Sequence, residues 1–123
     1  MTTEAAAIQS FMGSFGIPAY PVTSVPDDAE TPYLTYTLAI GAWGDGETNI
    51  PVDLWYRGES EAEPNAMARK ISRRVGMGGV QLACDVGTVW IKRGSPFSQT
   101  VQDEDNSIKR RLVNLSAEFN TVY

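Results

Sequence analysis

At 123 residues, 42% of them hydrophobic and 20% charged, the chain has the size and composition of one soluble globular domain that buries a real core. Fifteen carboxylates against ten lysines and arginines give a net charge of −5, which excludes a duplex-DNA reader built on a dominant basic surface. With no histidine, most catalytic triads, most zinc sites and the usual general base near neutral pH are also gone.

Met1-Thr2-Thr3-Glu4 lacks the basic region of a signal peptide, and no apolar run approaches the roughly 20 residues of a membrane span. The lone Cys84 cannot form an internal disulfide. The expectation is synthesis in a reducing cytoplasm, with no membrane partner.

Ala5, Ile8, Met12 and Phe15 recur at three- and four-residue steps with Phe11 beside them, which predicts an amphipathic helix over residues 3–14. Thr2 or Thr3 caps it, and Glu4 suits the positive end of its dipole. Residues 17–24 read as a short strand that Pro18 and Pro21 confine to an edge. After the polar loop Pro26–Pro32, residues 33–40 alternate Leu34, Tyr36, Leu38 and Ile40 against Tyr33, Thr35, Thr37 and Ala39, a strand pattern. Thr48 to Arg57 returns as a second strand with Ile50, Val52, Leu54 and Tyr56 on one face. The two are expected to pair antiparallel, with Asp45-Gly46 as the hairpin-turn pair.

Ser60 to Glu63 has capping-box form, while Pro64 just behind it is itself a natural helix start. Met67, Ile71 and Val75 make the apolar stripe of this second helix, Ala68 fills its flank and Gly76 closes it. Strands follow over residues 80–84, 88–92, 97–102 and 107–121, the last with Val113, Leu115, Ala117 and Phe119 facing one way. The sum is one α+β domain over residues 1–123: a largely antiparallel β-sheet with two α-helices packed on one side.

No cluster of residues looks poised for catalysis. Gly41–Gly46 leads into a strand and Gly76–Gly79 trails a helix, so neither offers the helix N-terminus that a phosphate-cradling loop needs. An EF-hand beginning at Asp103 would require glycine at Ile108 and glutamate at Asn114, so Asp103, Glu104 and Asp105 read as an acidic hairpin tip. Cys84, with no histidine to activate it, reads as a small buried hydrophobe. No catalytic residue, metal ligand or cofactor is expected.

What remains is material for contact. Arg69, Lys70, Arg73 and Arg74 lie opposite the apolar stripe of the second helix, and pairs 69/73 and 70/74 repel by about 0.2–0.5 kcal/mol each unless relieved. They form either a solvated face that suits the helix dipole or a patch that docks on acidic loops of a neighbouring subunit. Trp55 and Trp90 fall in strands, where packing on the sheet is the default. Trp43, on a glycine-flanked loop with Asp45 and Glu47 after it, reads as an interface anchor.

These residues, in this order, resemble a known family. Gly16-Ile17-Pro18-Ala19-Tyr20, the run from Val25 to Tyr36, and Pro51-Val52-Asp53-Leu54-Trp55-Tyr56-Arg57 before the second helix carry the likeness. Gly94-Ser95-Pro96-Phe97-Ser98-Gln99 and Asp103-Glu104-Asp105 continue it. The chain is similar to the tail-terminator (tail-completion, or minor capsid) proteins of long-tailed bacteriophages. The resemblance implies a structural virion protein, not an enzyme, assembled in the host cytoplasm and forming a hexameric ring at the head-proximal end of the tail tube. The ring stops tube polymerisation and serves head–tail joining, and genomic DNA passes through it without specific binding. Its implied partners are further copies of the chain, the tail-tube protein and a head–tail connector or neck protein. A neck protein is itself the nearest alternative, and a small cytoplasmic ligand-binding domain a more distant one. On this reading Trp43, Asp45, Glu47, Arg69, Lys70, Arg73 and Arg74 face a neighbour or the tube, and Asp103, Glu104 and Asp105 form a lumen-facing tip.

Overall fold

The computed structural model describes residues 2–122. Helix α1 spans Glu4–Met12 and runs into a 3-10 turn, Gly13–Phe15, shortening the expected helix at its end. Thr3 is the cap: its hydroxyl accepts from the Ala6 amide at 3.1 Å. Strand β1 is Ala19–Pro21, β2 Tyr33–Tyr36 and β3 Glu47–Arg57; α2 is Ala62–Val75; β4 is Val80–Cys84, β5 Gly87–Val101 and β6 Ile108–Thr121. The strands form one sheet in the order β1-β2-β3-β6-β5-β4.

The pairing of β2 with β3 is antiparallel, as are β3 with β6, β6 with β5 and β5 with β4. β1 lies parallel to β2, so the sheet is mixed. Helices and sheet enclose a single core on one side. Ile8, Phe11 and Met12 of α1 and Ala68, Ile71 and Val75 of α2 join the inward side chains of the strands in one buried cluster. The expected face of β6 is the buried one, with Val113, Leu115, Ala117 and Phe119 almost without solvent contact.

The strand expected over residues 17–24 is only the three-residue β1, and two further strand boundaries differ from the sequence expectation, each with a local cause. β2 stops at Tyr36 instead of running to Ile40. The next bonded pair of the ladder joins Thr37 to Pro51, and the Thr37 amide donates to Pro51 O at 3.1 Å. Pro51 has no N–H to return. Beyond this half-made pair the chain leaves the sheet, and Leu38 and Ile40 are 37% and 48% exposed, not inward-facing. The turn that brings it back is centred on Trp43-Gly44, not Asp45-Gly46. Asp45 N donates to Ala42 O at 3.0 Å, and Gly44, at φ 89°, holds the left-handed position of a type II turn. Residues 88–102, expected as two strands, form the single β5 with an irregularity between Arg93 and Ser98. There β5 advances five residues while β6 advances two. Gly94 is needed at this point because a Cβ would lie 2.9 Å from Asn114 O.

Helix α2 starts at Ala62, with the Ser60 hydroxyl accepting from the Ala62 amide at 3.0 Å in place of a full capping box. Pro64 is tolerated because it is the third residue, where no intrahelical partner is lost. Gly76 ends the helix at φ 74°, donating to Ser72 O at 2.8 Å.

Two polar residues, Arg111 and Thr121, interrupt the apolar face of β6 near its two ends. Arg111, buried, donates through Nη2 to Glu61 Oε1 at 3.0 Å and to Asn65 Oδ1 at 2.7 Å, clipping the start of α2 to the sheet. The two partners differ in exposure: the Arg111 side chain is 8% exposed and that of Glu61 41%. Removing the carboxylate therefore strands a buried cation, whereas removing the arginine leaves an acid that water still reaches. Glu61→Ala should lower stability by about 1–3 kcal/mol, and Glu61→Gln, which keeps an acceptor, by less. Urea unfolding of the three proteins checks this; equal midpoints would mean that the ion pair contributes nothing.

Candidate functional site

The two lateral margins of the sheet are built differently. At β1 the outward groups belong to Ala19 and Pro21, because the inward bonds are already made: Leu34 N donates to Pro18 O and Val22 N donates to Tyr36 O, each at 2.9 Å. Gln9 Nε2 donates to Ala19 O at 3.0 Å, and its other amide atom accepts from the Tyr36 hydroxyl. Pro21 has no donor, and its carbonyl accepts from Ser24 N at 2.8 Å. This margin is closed to a further strand.

The opposite margin is open along Gln81 and Ala83, while at its turn end the Asp85 amide donates to Thr2 O at 2.7 Å. The two-residue turn at Asp85-Val86 makes Cys84↔Gly87 a bonded pair, so Leu82 and Val80 also bond to β5. The peptide groups of Gln81 and Ala83, both exposed, then point away from the sheet. The Val122 amide, donating to Val86 O at 2.8 Å, fits the same alternation on the β6 side of β5.

The basic face of α2 divides into two functions. Lys70 Nζ donates to Phe15 O at 2.7 Å, and the Arg74 guanidinium lies 5.4 Å from the centre of the Phe11 ring. Both tie α2 to the first helix and so relieve the 70/74 repulsion. Arg69 and Arg73 stay exposed and enter none of the ion pairs among the described residues. Arg93, which sequence reasoning passed over, is also exposed beside them, its Nη1 donating to Ser72 Oγ at 2.9 Å.

Trp43 projects into solvent at 65% exposure and forms, with Ala42, Thr121 and Val122, a shallow depression of about 450 Å³. Asp45 braces this loop by accepting from Ala42 N at 2.8 Å. Glu47 is turned away to Lys92 at 3.0 Å, so it belongs to the sheet surface more than to the loop.

The tip between β5 and β6 is self-organised. Asp103 Oδ1 accepts from the Asp105 amide at 3.0 Å, and Asp105 Oδ1 accepts from the Ser107 amide and hydroxyl at 2.9 and 2.7 Å. Arg57 approaches Asp105 at 3.4 Å. The Ser107 bonds, and then the arginine, hold the Asp105 carboxyl below its ordinary value. Glu104 is left exposed at the apex.

Two further groupings were not foreseen. On the uncovered face of the sheet Tyr20, Tyr33 and Trp55 run edge-to-face and then stacked, at 5.9 and 6.3 Å between ring centres. Arg110 lies 4.8 Å over Trp55 and pairs with Asp53 at 3.1 Å. Glu4, Cys84 and Asp85 bring their ligand-type atoms within 4.8 Å of one another. Glu4 is there because a carboxylate is favoured in the first turn of α1. Cys84 is half-buried against the edge of the core, not sealed inside it. Neither the family models nor the curated proteins compared with this chain give a match.

Because the folded pKa of Asp105 is depressed, its contribution is complete above the ordinary carboxylate value and is lost as pH falls through the lower one. The Ser107 amide resonance should therefore titrate with a midpoint below 3.8, and a midpoint at or above that value would refute the bonding pattern.

Proposed function

We propose that this chain is a structural protein of the virion, a bacteriophage tail terminator whose copies close into a ring, six in number, on the head-proximal end of the tail tube. It works by assembly, without catalysis. The observation that carries the reading is the inequality of the two sheet margins. On this reading the closed β1 side takes no strand, the open β4 edge meets a different surface of the next copy, and the contacts run head to tail. Head-to-tail contacts that close are rings.

Charge supports the same arrangement. Arg69, Arg73 and Arg93 lie on the β5 side of the molecule, while Asp27, Asp28 and Glu30 fall in the loop between β1 and β2, at the far end of the strand order. Opposite patches on opposite flanks steer copies into one register. Trp43 and the loop that carries it are the contact to a neighbour or to the tube protein, and Asp103, Glu104 and Asp105 rim the lumen. Six copies at −5 hold about 30 negative charges, so passing DNA meets a wall of its own sign. The far side of the ring receives the connector or neck protein of the filled head.

The test is an infection in which this gene is deleted. Tails should form with abnormal length and fail to join heads, and supplying the protein in trans should restore both. Tails of normal length that join normally would end the proposal.

A further inference from the structure

The segment from Thr37 to Trp43 has the alternation of a strand yet, beyond the Thr37–Pro51 bond, joins no ladder among the described residues, and at Gly41 it lies close against Thr48 and Phe119. Its inward-pattern residues Leu38 and Ile40 stand exposed, an unusual state for two aliphatic side chains two residues apart. On the other flank, the peptide groups of Gln81 and Ala83 in β4 have no backbone partner among the described residues. Beside that edge lies a groove of about 330 Å³ between β4 and α1, lined by Ala7, Phe11 and Leu82 with Ser10 and Ser14, and by Thr2 at one end. The groove has room for two aliphatic side chains, and Arg74 lines it.

We infer that the groove takes the Thr37–Trp43 arm of a second copy as an added strand on β4, with Leu38 and Ile40 seated over Ala7, Phe11 and Leu82. The main chain of the arm bonds to the outward peptide groups of Gln81 and Ala83, and alternate side chains supply the fit. The occupant is a second copy because Thr37 anchors the arm on Pro51 of β3, with β6 and β5 between it and β4, so an arm cannot reach its own groove. Charge agrees: Arg74 on the groove side meets an arm whose end carries Asp45. This rests on the ring reading and names the surface that joins its subunits.

The test uses the full chain with Cys84→Ala, Ala39→Cys and Ala83→Cys, treated with a short bismaleimide at the highest soluble concentration. A ladder of cross-linked multimers is expected from the double-cysteine protein, with only monomer from either single-cysteine protein. Adding Leu38→Asp and Ile40→Asp should abolish the ladder and leave thermal melting unchanged, since both residues are exposed. Three results would overturn the inference: no multimers, an intramolecular cross-link alone, or dimers from a single-cysteine protein. If the ladder fails while the chain still complements the deletion, the surface is wrong and the ring stands. If complementation fails for the unmodified chain as well, the ring reading falls with it.

Discussion

Thr37 and Pro51 meet as a ladder pair that makes one hydrogen bond of two, and much of the molecule's character follows from the missing one. A donor at position 51 would let β2 continue alongside the first half of β3, burying Leu38 and Ile40 as their spacing implies. Without it, the segment that follows is released as an arm whose return is set by the turn at Trp43-Gly44. A second proline does related work at the flank. Pro21 and the two bonds of the Gln9 amide leave β1 with almost nothing to offer a neighbouring strand. Backbone chemistry alone thus gives the sheet one closed side and one open side, with a loose strand-like segment between β2 and β3.

The rest of the fold holds this arrangement still. A single core lies under both helices, and α2 is fastened at both ends. Arg111 clips its start to β6, and Lys70 and Arg74 tie it to the first helix and the turn behind it. The uncovered face of the sheet is secured by contacts that are individually small. Lys92 lies 3.7 Å over the Trp90 ring and pairs with Glu47, Arg110 stacks on Trp55, and exposed ion pairs of this kind contribute about 0–1 kcal/mol each. Their value is to order long side chains on a surface that would otherwise be soft.

Much of this could be read before any coordinates. The periodicities of β3 and β6, the apolar stripe of α2 and the caps at Thr3 and Gly76 rest on local rules, and they hold. The misses come from partners distant in sequence. The alternation at Leu38 and Ile40 is sound as a pattern and fails because of a proline thirteen positions later than Leu38. The parallel placement of β1 depends on how residues 22–32 cross back, which no short motif announces. The division of the basic helix face into Lys70 and Arg74, spent on α1, and Arg69 and Arg73, left outward, needs the position of Phe11 and Phe15. One signal was present and unread: Pro51 interrupts a strand otherwise fit for the sheet centre, and such a proline marks an unpaired flank.

Unequal flanks fit the proposed head-to-tail association, in which the open edge of one copy meets a different surface of the next. Copies should add head to tail until the chain of contacts closes, and the pairwise complex should never be an end point. Native mass spectrometry across a concentration series, carried to the solubility limit and repeated with tail tubes, measures this directly. The account predicts monomer and one closed multimer with no plateau of dimer between them. A dimer that persists as the final state, or a monomer under every condition including contact with tubes, would contradict it.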